Sequence, residues 1–195
     1  MLIAAMLGLT GCGATRGGYE TAPYRVVRAE GPFELREYPA LRVAETPMAG
    51  ADESGNGGFR RLFRYISGGN DGGRKIAMTT PVWISEAGAD STMAFVLPSE
   101  MAGSAIPQPS DSAVRVRELP PGRFAATRFR GGRADGEGPA LERLKAWMAR
   151  QGWTAEGSPV YAYFDPPWTP GFLRRNEVML RVVSTDGEAT EPAGP

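Results

Sequence analysis

The chain has 195 residues, 22 basic and 22 acidic, so its formal net charge is zero, and it carries no histidine and a single cysteine. The charge balance excludes a general attraction to nucleic acid or anionic lipid. The composition also excludes the commonest general base, the commonest metal and haem ligand, and any disulfide within the chain. With 42% hydrophobic residues the chain can build the core of one ordinary domain.

Met1 to Leu9 is a short apolar run closing in Leu9-Thr10-Gly11-Cys12. It resembles a bacterial lipoprotein signal, in which small residues precede a cysteine that is lipidated. On that reading residues 1–11 are the signal, Cys12 carries the lipid, and residues 12–21 are a tether. The mature chain would sit at the cell envelope, lipid-anchored, facing the periplasm from the outer membrane. The alternative is a buried apolar segment with an incidental cysteine. No run of the roughly 18 apolar residues needed to span a bilayer occurs.

Alternation places strands at Tyr24 to Ala29, Phe33 to Glu37 and Leu41 to Thr46. Phe59 to Ile66 is a short helix, with Phe59, Leu62, Phe63 and Ile66 at i, i+3, i+4 and i+7 and Arg60, Arg61 and Arg64 on the other side. Ser67-Gly68-Gly69 ends it. Ile76 to Ser85 is extended but interrupted by Pro81, which predicts an edge or a bulge there. Thr92 to Leu97 is a further strand, and Met101 to Ser112 is a Pro/Ser-rich link.

The order then repeats. Val114 to Glu118 and Arg123 to Arg130 are strands, and a second helix begins at Pro139, with Leu141, Leu144, Met148 and Gln151 on one side. Asp165 to Phe172 is a stiff aromatic loop, Glu177 to Val183 the closing strand, and residues 185–195 a polar tail expected to be disordered. Arg36-Glu37-Tyr38-Pro39 recurs as Arg117-Glu118-Leu119-Pro120, 81 residues later, and Thr80-Pro81-Val82-Trp83 is mirrored by Ser158-Pro159-Val160-Tyr161. This spacing is too long for a solenoid unit. It predicts one α+β domain over residues 22–184, made of two halves (about 22–100 and 112–184) with a cleft where they meet, the usual place for a small ligand.

Two motifs then coincide: Met78-Thr79-Thr80-Pro81-Val82 following the first helix, and Arg174-Arg175-Asn176-Glu177-Val178 following the Pro-rich loop. With them the chain resembles the SOUL haem-binding family over roughly Tyr19 to Val183. The resemblance implies a distorted antiparallel β-barrel with two helices and pseudo-twofold symmetry, related in fold to effector-binding domains. It implies haem or another tetrapyrrole as cofactor, bound without catalysis beside the first helix and the loop before the last strand.

On this chain those positions are Phe59, Leu62, Phe63 and Ile66, with Trp168, Phe172 and Leu173 from the loop and Arg60, Arg64 and Arg174 as cations for the propionates. Such a stripe also docks a helix on its sheet, the more natural role for Leu62 and Ile66, whereas Phe59 and Phe63 lie at its edge. The arginines also read as a solvated face, and Trp168 reads equally as an exposed anchor or a lid. Without histidine, Met78 and Tyr65 are the remaining iron-ligand candidates, and binding by packing and propionate contacts is expected. Glu177 between Arg175 and its strand is most simply an ion pair. Two other functions stay open: a module for another small planar or amphipathic ligand, and a hydrolase or dechelatase using Glu177 and a tyrosine. No triad, phosphate loop or metal cluster is present to favour the enzyme.

Overall fold

The computed structural model describes residues 18–48, 57–101, 105–131, 133–166 and 169–184. The expected signal, Cys12, Trp168 and the C-terminal tail lie outside them. The described chain is α+β, with eleven strands and two α-helices. The strands are β1 (Glu20–Thr21), β2 (Arg25–Glu30), β3 (Phe33–Tyr38), β4 (Leu41–Pro47), β5 (Thr79–Thr80), β6 (Val82–Ser85), β7 (Thr92–Val96), β8 (Arg115–Leu119), β9 (Gly122–Phe129), β10 (Trp153–Tyr163) and β11 (Asn176–Ser184). The helices are α1 (Gly57–Ile66) and α2 (Arg133–Arg150). Residues 20 and 21, expected at the end of the tether, instead form β1, which pairs in parallel with β5.

Nine strands form one sheet in the order β2-β3-β9-β11-β10-β6-β7-β4-β8. Apart from β2, this order is the sequence repeat made visible. If β3, β9, β11 and β10 are exchanged for β8, β4, β7 and β6, the list simply reverses. The dyad falls on the β6–β10 pair, where Val82 faces Tyr163 and Val160 faces Ser85. The two mirrored Pro-Val segments therefore hydrogen-bond to each other at the centre of the sheet.

The expected barrel is not formed: β2 and β8 are the two ends of an open sheet. Both ends carry charge, with Arg25, Arg28 and Glu30 on an exposed β2 and Arg115, Arg117 and Glu118 on β8. Charged side chains are what keeps an edge strand from pairing further. Pro81 marks neither edge nor bulge. It sits between β5 and β6, and β6 is central, between β10 and β7. Because Pro81 precedes the first residue of β6, the ladder loses no donor. Its counterpart Pro159 does fall in the break in the β10 register between Glu156 and Val160.

Helix α2 begins at Arg133, so Pro139 is interior rather than first. The added turns are held by packing. Gly136 lies so close to Phe129 that a Cβ would come within 2.5 Å of its ring, Glu137 is buried and accepts from the Tyr163 hydroxyl, and Ala140 is fully buried. At the other helix, Gly68 takes a left-handed φ of 111° and Gly69 N donates to Arg64 O at 2.8 Å, closing α1 as a C-terminal cap.

Strand alternation gives the sheet two faces. Ala44, Ile84, Met93 and Phe95 pack beneath Leu62, Tyr65 and Ile66 of α1. Leu35, Ala125, Tyr161, Val178 and Leu180 pack beneath Leu144, Trp147 and Met148 of α2. Tyr163 touches both clusters, so the helices share one face. The opposite, inner face carries a third cluster of Tyr38, Leu41, Val43, Trp83, Ala94, Ala126, Ala162 and Met179. A flat sheet would hold β3 and β8 about 33 Å apart. Here Tyr38 of β3 and Leu119 of β8 join the same inner cluster, so the sheet is strongly curled. No helix among the described residues is long and apolar enough to cross a membrane.

Candidate functional site

The curl creates a cleft where the halves meet, as the repeat predicts, but its walls are not the residues the sequence singled out. It is a cavity of about 140 Å³ lined by residues of eight strands, among them Tyr38, Trp83, Phe124, Val160 and Met179. Both copies of the repeated motif reach it, through Tyr38-Pro39 and Leu119-Pro120. Tyr38 presents an edge to Trp83 and to Phe124, with ring centroids 5.8 and 5.6 Å apart. Glu45, Arg117 and Arg181 supply charge to the wall. Arg117 binds Glu45 through Nε and Nη2, and the Thr92 hydroxyl donates to Glu45 at 2.7 Å. Burial alone would raise the Glu45 carboxyl, but these hydrogen bonds outweigh it and hold its pKa below the usual value. The recurring Tyr-Pro and Leu-Pro dipeptides were the available sequence signal for this cavity. Trp83 entered only through the mirrored Thr80-Pro81-Val82-Trp83 segment, and Phe124 and Met179 lie on separate strands and carried none.

Glu177 lies on the inner face of β11 and is fully buried. Arg36 donates to it at 2.5 Å and Arg175 at 2.7 Å, and the Arg128 guanidinium stands 3.4 Å away. Burial pushes its pKa up, but the bonds and charges of Arg36 and Arg175 win and keep it lowered. A carboxylate so paired is a structural anion rather than a poised acid or base. The rest of the Arg-Arg-Asn-Glu motif ties the preceding loop. Arg174 Nε donates to Thr169 O at 2.6 Å, the Arg175 backbone N–H to Asp165 at 2.6 Å, and Asn176 to Gly131 O at 2.8 Å.

The family positions divide between two places. Leu62 and Ile66 are in the core under α1 and do not reach the outer surface, because the buried side of the helix must cover the sheet. Phe59 and Phe63 stay exposed, at 37% and 51%, with rings stacked 5.9 Å apart at 12°. Arg60 and Arg64 are exposed beside them on the same helix. Arg61 instead ties α1 to β4, donating to Thr46 Oγ1 at 2.9 Å and Pro47 O at 2.5 Å. Phe172 and Leu173 are exposed at 70% and 57%. Their short 3₁₀ turn is tied to the second half, where Gly131, ahead of α2, donates its N–H to Gly171 O at 3.2 Å. Arg174 is half-buried and engaged with that loop.

The 140 Å³ cavity is well below the 300–1,000 Å³ typical of ligand pockets, so a tetrapyrrole does not fit there. Phe59 and Phe63 instead offer an exposed aromatic surface on α1, a helix that also exposes Arg60 and Arg64. Tyr65 is not suited to bind iron as a phenolate. Its hydroxyl donates to Pro107 O at 2.9 Å, and burial pushes its pKa up to about 12. Met78 is half-buried in the core beneath α1. No group of three or more His, Cys, Asp and Glu side chains among the described residues could hold a metal ion.

The domain class is thus an open, curled antiparallel sheet with two repeat-related helices on one face. A SOUL heme-binding protein family model matches residues 19–181, and the chain belongs to that family. It is 29% identical over 182 residues to heme-binding protein 1 of Mus musculus, covering 84% of this chain and 93% of that protein. It is 26% identical over 179 residues to heme-binding protein 1 of Sus scrofa, covering 84% and 93%. Among solved structures it is similar in fold to the EcmrR C-terminal domain, with TM-score 0.55 and 15% identity over 78% of this chain and 97% of that one. A hydrolase from Listeria innocua gives TM-score 0.56 and 9% identity over 80% and 94%. At these identities the structural likeness concerns fold alone.

Proposed function

We propose that this chain binds haem or a related tetrapyrrole on the outer face of α1, without catalysis and without histidine ligation, to buffer or deliver it at the cell envelope. The observation that carries the reading is the exposed, stacked Phe59–Phe63 pair beside Arg60 and Arg64 in a member of this family. An aromatic shelf stacks on the porphyrin plane, and guanidinium groups pair with its carboxylates. Phe172 and Leu173 are a second apolar surface on the other half. Lipidation at Cys12 would anchor the domain and leave the binding face to the periplasm.

When bound, the haem would supply its own iron chemistry. The protein's part is to hold the plate and its propionates. With no histidine in the chain, affinity rests on packing rather than on an iron bond. Titration of the protein with hemin and with protoporphyrin IX, following the Soret band, should therefore give similar affinities. Phe63→Ala should weaken both about tenfold, the scale of losing one buried aromatic contact, while leaving the thermal midpoint unchanged. Hemin binding far tighter than the iron-free ring, or a Phe63→Ala protein that binds as before, would overturn the reading.

A further inference from the structure

We infer that the inner cavity is a second ligand site, separate from the face of α1, and that it takes a single-ring aromatic carboxylate. Size is the first argument. An apolar cavity of about 150 Å³ is known to accommodate a benzene ring, and this one measures about 140 Å³. Its wall is aromatic and aliphatic, with Tyr38, Leu41 and Val43 from the first half and Phe124 and Met179 from the second.

The second argument is an unpaired donor. Trp83 forms part of the wall and is only 8% exposed, and its indole N–H meets no acceptor among the described residues. A buried N–H without a partner costs free energy that a ligand acceptor would recover. The third argument is charge. Arg117 and Arg181 line the cavity against the single carboxylate of Glu45, and Arg117 and Thr92 already engage that carboxylate. Arg181 lies over the Phe124 ring, 5.6 Å from its centroid, donates to Pro121 O at 2.9 Å and is paired outside the cavity lining with Glu156 at 3.3 Å. An anionic acceptor on an aromatic ring meets all three conditions, whereas a cation could not accept from the indole and would meet two guanidinium groups on the wall. The site involves no residue of the tetrapyrrole face, so the two readings stand or fall separately.

The test uses the full chain, labelled with ¹⁵N, and follows the tryptophan indole resonances. Trp83 is assigned by the peak missing from Trp83→Phe. Benzoate should shift the Trp83 peak in the millimolar range or below, and benzylammonium should not. Trp83→Phe keeps an apolar wall without the donor. It should weaken benzoate about tenfold, the loss expected for one hydrogen bond to a charged acceptor, and leave toluene binding intact. Ala94 also lines the cavity, so Ala94→Leu should fill the space and abolish binding of both probes while the protein remains folded. Phe63→Ala should change none of these results. A Trp83 peak unmoved by benzoate, benzylammonium binding as tight as benzoate, or benzoate binding that survives Ala94→Leu would each overturn the inference.

Discussion

Arg36 and Arg117 occupy the same place in the two copies of the repeat, and each clasps a carboxylate on the inner face of the sheet. The surroundings differ. The side chains of Arg36 and Glu177 are 2% and 1% exposed, whereas those of Arg117 and Glu45 are 50% and 16% exposed. The difference comes from one strand. β2 pairs along β3, and the Tyr24 ring just before it lies over Arg36, 4.3 Å from the guanidinium carbon. Among the described residues β8 has no such neighbour and is itself an edge of the sheet. A strand without a repeat counterpart has turned one copy of the motif into a buried structural knot. The other copy remains at the wall of the cavity.

The largest effect expected from this contrast is at the knot. Glu177→Ala removes the central anion. Arg175 and Arg128 are 23% and 55% exposed and can turn to water, but Arg36 cannot, and Glu34, 2.7 Å from its Nε, is the one carboxylate among the described residues that remains to it. Leaving a buried charge short of its partner costs about 3–5 kcal/mol. Urea unfolding should show a loss of that order. Replacing both partners, Arg36→Met with Glu177→Leu, should recover a substantial part of it, since no buried charge is then stranded. A loss below about 1 kcal/mol for Glu177→Ala would erase the distinction between the two pairs.

The same contrast marks what could be read from the sequence. The repeat was legible because paired motifs in one order survive any folding, and it foretold an α+β domain with two helices and a cleft. The stripe of α1 was legible because helical spacing is local, and it separated Phe59 and Phe63 from the buried Leu62 and Ile66. The burial of Arg36 was not legible. It depends on β2 and Tyr24, which lie outside the repeat. The cavity wall was equally hidden, because Trp83, Phe124 and Met179 meet only through the curl of the sheet. The barrel failed for a related reason: closure depends on whether two distant edges pair, and charge on β2 and β8 opposes it. Pro139 misled because a proline at a helix start is a sound local signal, here outweighed by the packing of Gly136 and Glu137.

A smaller effect separates the pairs by pH. The Glu177 carboxyl is held below its ordinary value of 4.5 in the folded protein, so its contribution is complete at neutral pH and is lost as pH falls through the lowered folded value. The chain has no histidine to titrate between pH 5 and 8. Stability should therefore be nearly flat across that range and decline below about pH 4.5. Glu177→Gln should flatten the decline more than Glu45→Gln, although the Glu45 carboxyl is also lowered. Urea midpoints measured from neutral to acid pH check the order. If the two variants flatten the decline equally, burial does not govern the difference.

The smallest effect is expected at the open pair. Arg117→Ala removes a guanidinium that is half in water, and exposed ion pairs contribute about 0–1 kcal/mol. Glu45 keeps the Thr92 hydroxyl as a donor, so no charge is left unsatisfied. Added salt should diminish even this small loss, because exposed charges are screened, whereas the cost of Glu177→Ala should persist in salt. A salt-insensitive loss of about 3 kcal/mol on Arg117→Ala would mean that the edge pair is as structural as the buried one. The cavity wall would then be fixed by the same requirement as the core, and β2 would not be what sets the two copies of the motif apart.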